Sequence, residues 1–101
     1  MTPLQYSLSE KYAIVNILSM IMEADTVIHP NEIEYMNSIL SHFSITVEDH
    51  DQMDEMDLQM CKTIIRQMSE EKRCAAKEMF MHMAVVDGHI DSREIQLIED
   101  L

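Results

Sequence analysis

The chain has one glycine, two prolines and no tryptophan in 101 residues. Turn material is too scarce for the frequent tight reversals of a sandwich or barrel, so sheet-rich folds are excluded. Its two cysteines, Cys61 and Cys74, have neither metal-pair spacing nor the density of a disulfide scaffold, and read as reduced, buried thiols. Positive charge is short as well: seven Lys and Arg stand against nineteen Asp and Glu, for a formal net charge of −12. That balance excludes phosphate backbones and anionic membrane surfaces, so no nucleic-acid partner is expected. The longest uncharged apolar run, residues 12–22, falls short of the roughly 20 residues a spanning helix needs, so no membrane insertion is expected. Met1-Thr2-Pro3-Leu4-Gln5 has no basic leader, and the cytoplasm is the expected compartment.

Apolar content arrives as Ile, Leu, Met and Ala at three- and four-residue steps, which predicts an all-α domain. By length it is one domain, over residues 9–101 after a short tail of residues 1–8. Ser7-x-x-Glu10 is a capping box that opens a helix to about Glu23, with Ala13, Ile14, Ile17, Leu18 and Ile21 inward. Pro30 opens a second helix with Ile33, Met36, Ile39, Leu40 and Phe43 on its core side, ending between Ser41 and Ser44. Thr46 caps a short third helix in an acidic stretch anchored by Met53 and Met56, which reads as a solvated face. Asp57 caps a fourth holding Met60, Ile64, Ile65 and Met68. Ser69 opens a fifth whose Ala75, Ala76, Met79, Met83 and Val86 face the core, and residues 92–101 form a sixth.

One pattern occurs twice. Asp25-Thr26-Val27-Ile28-His29-Pro30-Asn31-Glu32-Ile33 and Asp87-Gly88-His89-Ile90-Asp91-Ser92-Arg93-Glu94-Ile95 share Asp-x-x-Ile-x-x-x-Glu-Ile, sixty-two residues apart. Each copy lies between two apolar helical runs, as a duplicated helix-turn-helix corner would. Gly88 suits the left-handed residue that ends a helix. Asp91 in one copy, and His29 before Pro30 in the other, stand at the cap, so Glu94 and Glu32 fall at the third helical position, where a glutamate reaches back in a capping box. Asp25 and Asp87 are harder to place, because a carboxylate in the last turn of a helix faces the negative end of its dipole, at a cost of about 0.3–1 kcal/mol when exposed. Three kinds of partner offset that charge: backbone N–H groups of the loop, the N-terminus of another helix, or a bound cation.

These corner residues resemble the signature of the TerB-like family, an alanine-aspartate-glycine corner with a glutamate seven positions after the aspartate. The second copy, Val86-Asp87-Gly88 through Ile95, is similar to it from the aspartate on; the first, Ala24-Asp25-Thr26, has Thr26 at the glycine position. Residues 68–73 also resemble the start of the family's long helix before its second corner, so the likeness covers most of residues 10–101. It implies a compact bundle of five to six helices with an internal pseudo-two-fold and a stress-response association extending to tellurite resistance. It further implies a divalent metal ion held by acidic corner residues, here Asp25, Glu32, Asp87 and Glu94, with His29 and Asp91 nearby.

Other signals are weaker. His29 aligns with Asp91 and His89 with Val27, so the copies share no histidine ligand. His42, His50 and His82 have no repeated partner. The run Met79-x-Met81-x-Met83 points its thioethers to different helix faces, and the eleven methionines read as core filling rather than a soft-metal site. No nucleophile-base pair or phosphate-cradling loop is present, so no enzymatic activity is expected. Residues 12–61 hold no Lys or Arg, while Lys62, Arg66, Lys72, Arg73 and Lys77 cluster. This basic patch on an acidic body gives the alternative reading, a metal-independent module that contacts another protein or a second copy of itself as a homodimer.

Overall fold

In the computed structural model, residues 5–24 and 30–85 are described. They form five α-helices and one 3-10 turn, with no strand among them: α1 (Leu8–Ala24), α2 (Pro30–His42), the 3-10 turn (Val47–Asp49), α3 (His50–Asp54), α4 (Leu58–Gln67) and α5 (Glu70–Val85). The all-α expectation holds. The corner residues Asp25 and His29, and the residues expected to form the second corner and a sixth helix, lie outside the described residues.

The start of α1 is the capping box read from the sequence. Ser7 N–H donates to Glu10 Oε1 at 2.7 Å and Glu10 N–H donates to Ser7 Oγ at 3.2 Å, satisfying two N–H groups that a helix start leaves open. Ala13, Ile14, Ile17, Leu18 and Ile21 are fully buried, and Tyr12 and Val15 nearly so. A helix apolar on so many sides belongs at the centre. It does lie there, packed against α2, α3, α4 and α5. Each fully buried Ile or Leu contributes roughly 1.5–3 kcal/mol, so this helix is the main source of cohesion.

Around it, α2 begins at Pro30 and ends in a Schellman motif. Ile45 N–H donates to the Leu40 carbonyl at 3.0 Å and Ser44 N–H to the Ser41 carbonyl at 3.1 Å, with Ser44 in the left-handed region at φ 57°. Asp57 caps α4 by accepting from Met60 N–H at 2.8 Å. Ser69 caps α5 by accepting from Lys72 N–H at 3.3 Å.

Four expectations are corrected. On α2 the buried stripe is Glu32, Met36, Ile39 and Phe43, while Ile33 is 48% exposed. On α4, Ile65 and Met68 face the core as expected, but Cys61 joins them in place of Met60, which is 46% exposed, and Ile64 is partly buried. Cys74 is exposed; only Cys61 is a buried thiol, and burial pushes its pKa up. The acidic stretch is more than a solvated face, because Asp49 is held from inside the bundle. Its Oδ1 accepts from Tyr12 O–H at 2.5 Å, and its Oδ2 from Thr46 N–H at 2.7 Å. On α5, Ala76, Met83 and the partly buried Met79 face the core as expected, together with Phe80 and Ala84.

Candidate functional site

Of the six sequence-predicted site residues, Glu32 is described; Asp25, His29, Asp87, Asp91 and Glu94 lie outside the described residues. Glu32 stands at the third position of α2, in the helix's first turn, as expected from Pro30. Its side chain is 1% exposed, the one charged residue buried with the core among the described residues. The next residue, Ile33, points outward. An apolar side chain facing solvent beside a carboxylate facing the core reverses the usual pattern, and such reversals concentrate at functional sites.

The energetics make that reversal informative. Taking a carboxylate out of water costs several kcal/mol even after relaxation, so a buried one is matched by hydrogen bonds, an opposite charge or a metal ion. A third-position glutamate that only closed a capping box would do so at the helix surface, as Glu10 does with a side chain 15% exposed. Among the described residues no three His, Cys, Asp or Glu side chains come together in a group able to hold a metal ion.

The surfaces are arranged differently from the linear charge pattern. Lys72 leaves the basic cluster, because its Nζ pairs with Glu10 Oε1 at 3.0 Å and lies 5.8 Å from the centre of the Tyr6 ring. Arg66, Arg73 and Lys77 are exposed, and Lys62 is half-buried. Tyr35 of α2 packs at a tilt of 38° against His82 of α5, with ring centres 4.3 Å apart. Sequence reasoning missed the Tyr12–Asp49 bond: the spacing of Thr46 and Asp49 lets a carboxylate reach back to a helix start, but no local spacing points to Tyr12, 37 residues away.

The helices α1 and α5 share a register. They begin at Leu8 and Glu70, each directly after a serine cap, Ser7 or Ser69. Lys11 N–H donates to the Ser7 carbonyl at 3.0 Å and Arg73 N–H to the Ser69 carbonyl at 2.9 Å. Buried Ile14, Leu18 and Ile21 correspond to buried Ala76, Phe80 and Met83 at the same offset of 62.

Against known proteins, a family model described as "Tellurite resistance protein TerB" matches residues 11–101. No curated protein and no solved structure matches the chain. Among the described residues, no helix is long and apolar enough to cross a membrane.

Proposed function

This chain belongs to the TerB family, and from that premise we propose that it is a non-enzymatic module of tellurite or related stress response whose acidic corners hold a divalent cation. The observation that carries the reading is the buried Glu32 beside the exposed Ile33. A divalent ion compensates a buried carboxylate more completely than a single hydrogen bond, and it gives a reason for a helix to turn its glutamate inward and its isoleucine outward. The corner pattern of the sequence offers Asp25, Asp87 and Glu94 as the further oxygen donors, with His29 and Asp91 expected at the cap positions. An all-oxygen set of this kind suits calcium, magnesium or manganese, and a histidine joining it shifts the preference toward manganese or zinc.

The test is the melting temperature of the whole chain with chelator and with excess Ca²⁺, Mg²⁺, Mn²⁺ or Zn²⁺. It is run for wild type, for Glu32→Gln and for Asp25→Asn combined with Asp87→Asn. An ion bound only by the folded state raises the melting temperature, and the stabilisation grows with the logarithm of its excess over Kd. A rise in wild type that both variants lose supports the cation reading. Indifference of wild type to every ion overturns it in favour of the second reading, a metal-independent interaction module. That reading draws on the exposed Arg66, Arg73 and Lys77 set against the exposed acids Glu48, Asp51, Asp54 and Glu55.

A further inference from the structure

On α1, one face is covered by the short acidic segment that follows α2. Tyr12 O–H donates to Asp49 Oδ1 at 2.5 Å, Asn16 Nδ2 donates to the Met53 carbonyl at 2.9 Å, and Met53 is itself buried. The segment is therefore held by its acid, its backbone and a methionine anchor. At the shared offset of 62, Tyr12 and Asn16 correspond to Cys74 and Glu78 of α5. With Lys77, Met81, His82 and Val85, those two residues line an open groove of about 580 Å³. Met81 and Val85 are 40% and 38% exposed.

The differences between the two faces specify what the groove would take. Val15, buried on α1, is replaced by the exposed Lys77 of the groove, while the cation of Lys11 is kept as the exposed Arg73, one turn before it. The apolar floor of Met81 and Val85 thus has two cations toward its N-terminal end, and His82 adds an imidazole. Among the described residues, Glu78 is the one acid that lines the groove. Standing where Asn16 donates to a carbonyl, it can instead accept a backbone N–H.

We infer that the outer face of α5 is a docking surface for a short acidic helical segment with methionine-like anchors, supplied by a partner protein. The chemistry is that of residues 47–54 on α1. It is independent of the corner carboxylates, so chelator leaves it unchanged.

The probe is a synthetic peptide of residues 46–57 of this chain, Thr-Val-Glu-Asp-His-Asp-Gln-Met-Asp-Glu-Met-Asp, titrated into the full-length ¹⁵N-labelled protein. Saturable amide shifts confined to α5 around Cys74, Lys77, Met81 and Val85 are expected. Maleimide modification of Cys74 should slow in step with them, while buried Cys61 stays unreactive as the internal control. Lys77→Glu with Arg73→Glu should weaken binding roughly ten-fold, as two reversed surface charges would. Met81→Ser, an exposed position, provides a second variant if the double reversal does not fold. The proposal is overturned by absence of saturation, by shifts centred on Tyr12 and Asn16 instead, or by affinity indifferent to both variants. It is also overturned if Cys74 is already protected in the free protein: protection at every concentration assigns the groove to the chain's own residues 86–101, and protection only on concentration assigns it to a second copy.

Discussion

Glu10 and Lys72 form an ion pair of 3.0 Å although they are 62 residues apart, and each stands third from its own helix's serine cap. In a two-fold repeat, residues at equivalent positions touch only at the symmetry axis, as at an isologous contact. The pair is the contact that the two-fold read from the sequence requires if it relates α1 to α5.

A pH dependence follows. Partial burial pushes the Glu10 carboxyl up, but the Ser7 N–H, then the hydrogen bond and charge of Lys72, then the Ser7 hydroxyl outweigh it and hold the pKa below its ordinary value. A carboxyl depressed in the folded state contributes stability that is complete above its unfolded pKa, about 4.3, and is lost as pH falls through the folded pKa. Glu10→Gln should therefore flatten the acid limb of a urea-midpoint profile without moving its alkaline limb. Exchanging the pair, Glu10→Lys with Lys72→Glu, should restore most of what either single reversal loses, since Ser69 can then cap with a glutamate. A double variant no better than the single reversals would remove the symmetry argument.

Ser44 is a second point of test. A left-handed non-glycine residue costs about 1 kcal/mol or more, and this chain has a serine where the Schellman motif favours glycine. Ser44→Gly should stabilise by about 1 kcal/mol and Ser44→Val should destabilise, read by chemical denaturation. Loss of stability in the glycine variant would show that Ser44 has a different task.

The reversed stripe on α2 makes a contrast between neighbours. Ile33→Ser should change stability by no more than about 0.5 kcal/mol, because the side chain is half in water. Ile39→Ala, removing a buried side chain, should cost about 2–5 kcal/mol. Equal losses at the two positions would contradict the register of this helix and with it the burial of Glu32.

Tyr12→Phe should release the acidic segment locally. The hydrogen bond to Asp49, then burial and the charge of Asp49, push the Tyr12 phenol above its ordinary value. The bond's stabilisation is therefore present below the ordinary tyrosine pKa and lost as pH rises through the folded one. In the variant, amide exchange should accelerate across residues 47–54 while α4 and α5 remain protected. Uniform acceleration through the bundle would instead mean that the segment is not a separable unit.

What the sequence determined by itself were features that depend on neighbours a few residues apart: the capping box at Ser7, the serine cap at Ser69, the helix start at Pro30, the cap at Asp57 and the apolar run through α1. These are local interactions, and their spacing is written directly in the chain. Family membership was legible in the same way, through the paired corner motif. The rotation of each amphipathic helix about its own axis was not. On α2 the stripes through Ile33 and through Glu32 differ by one residue, a step of 100°, and both contain Met36 and Ile39. On α4 the same ambiguity hid Cys61 behind Met60. Only the tertiary structure decides, because the side facing the core depends on where α1 and the neighbouring helices lie, and that is how a carboxylate came to be inside and an isoleucine outside.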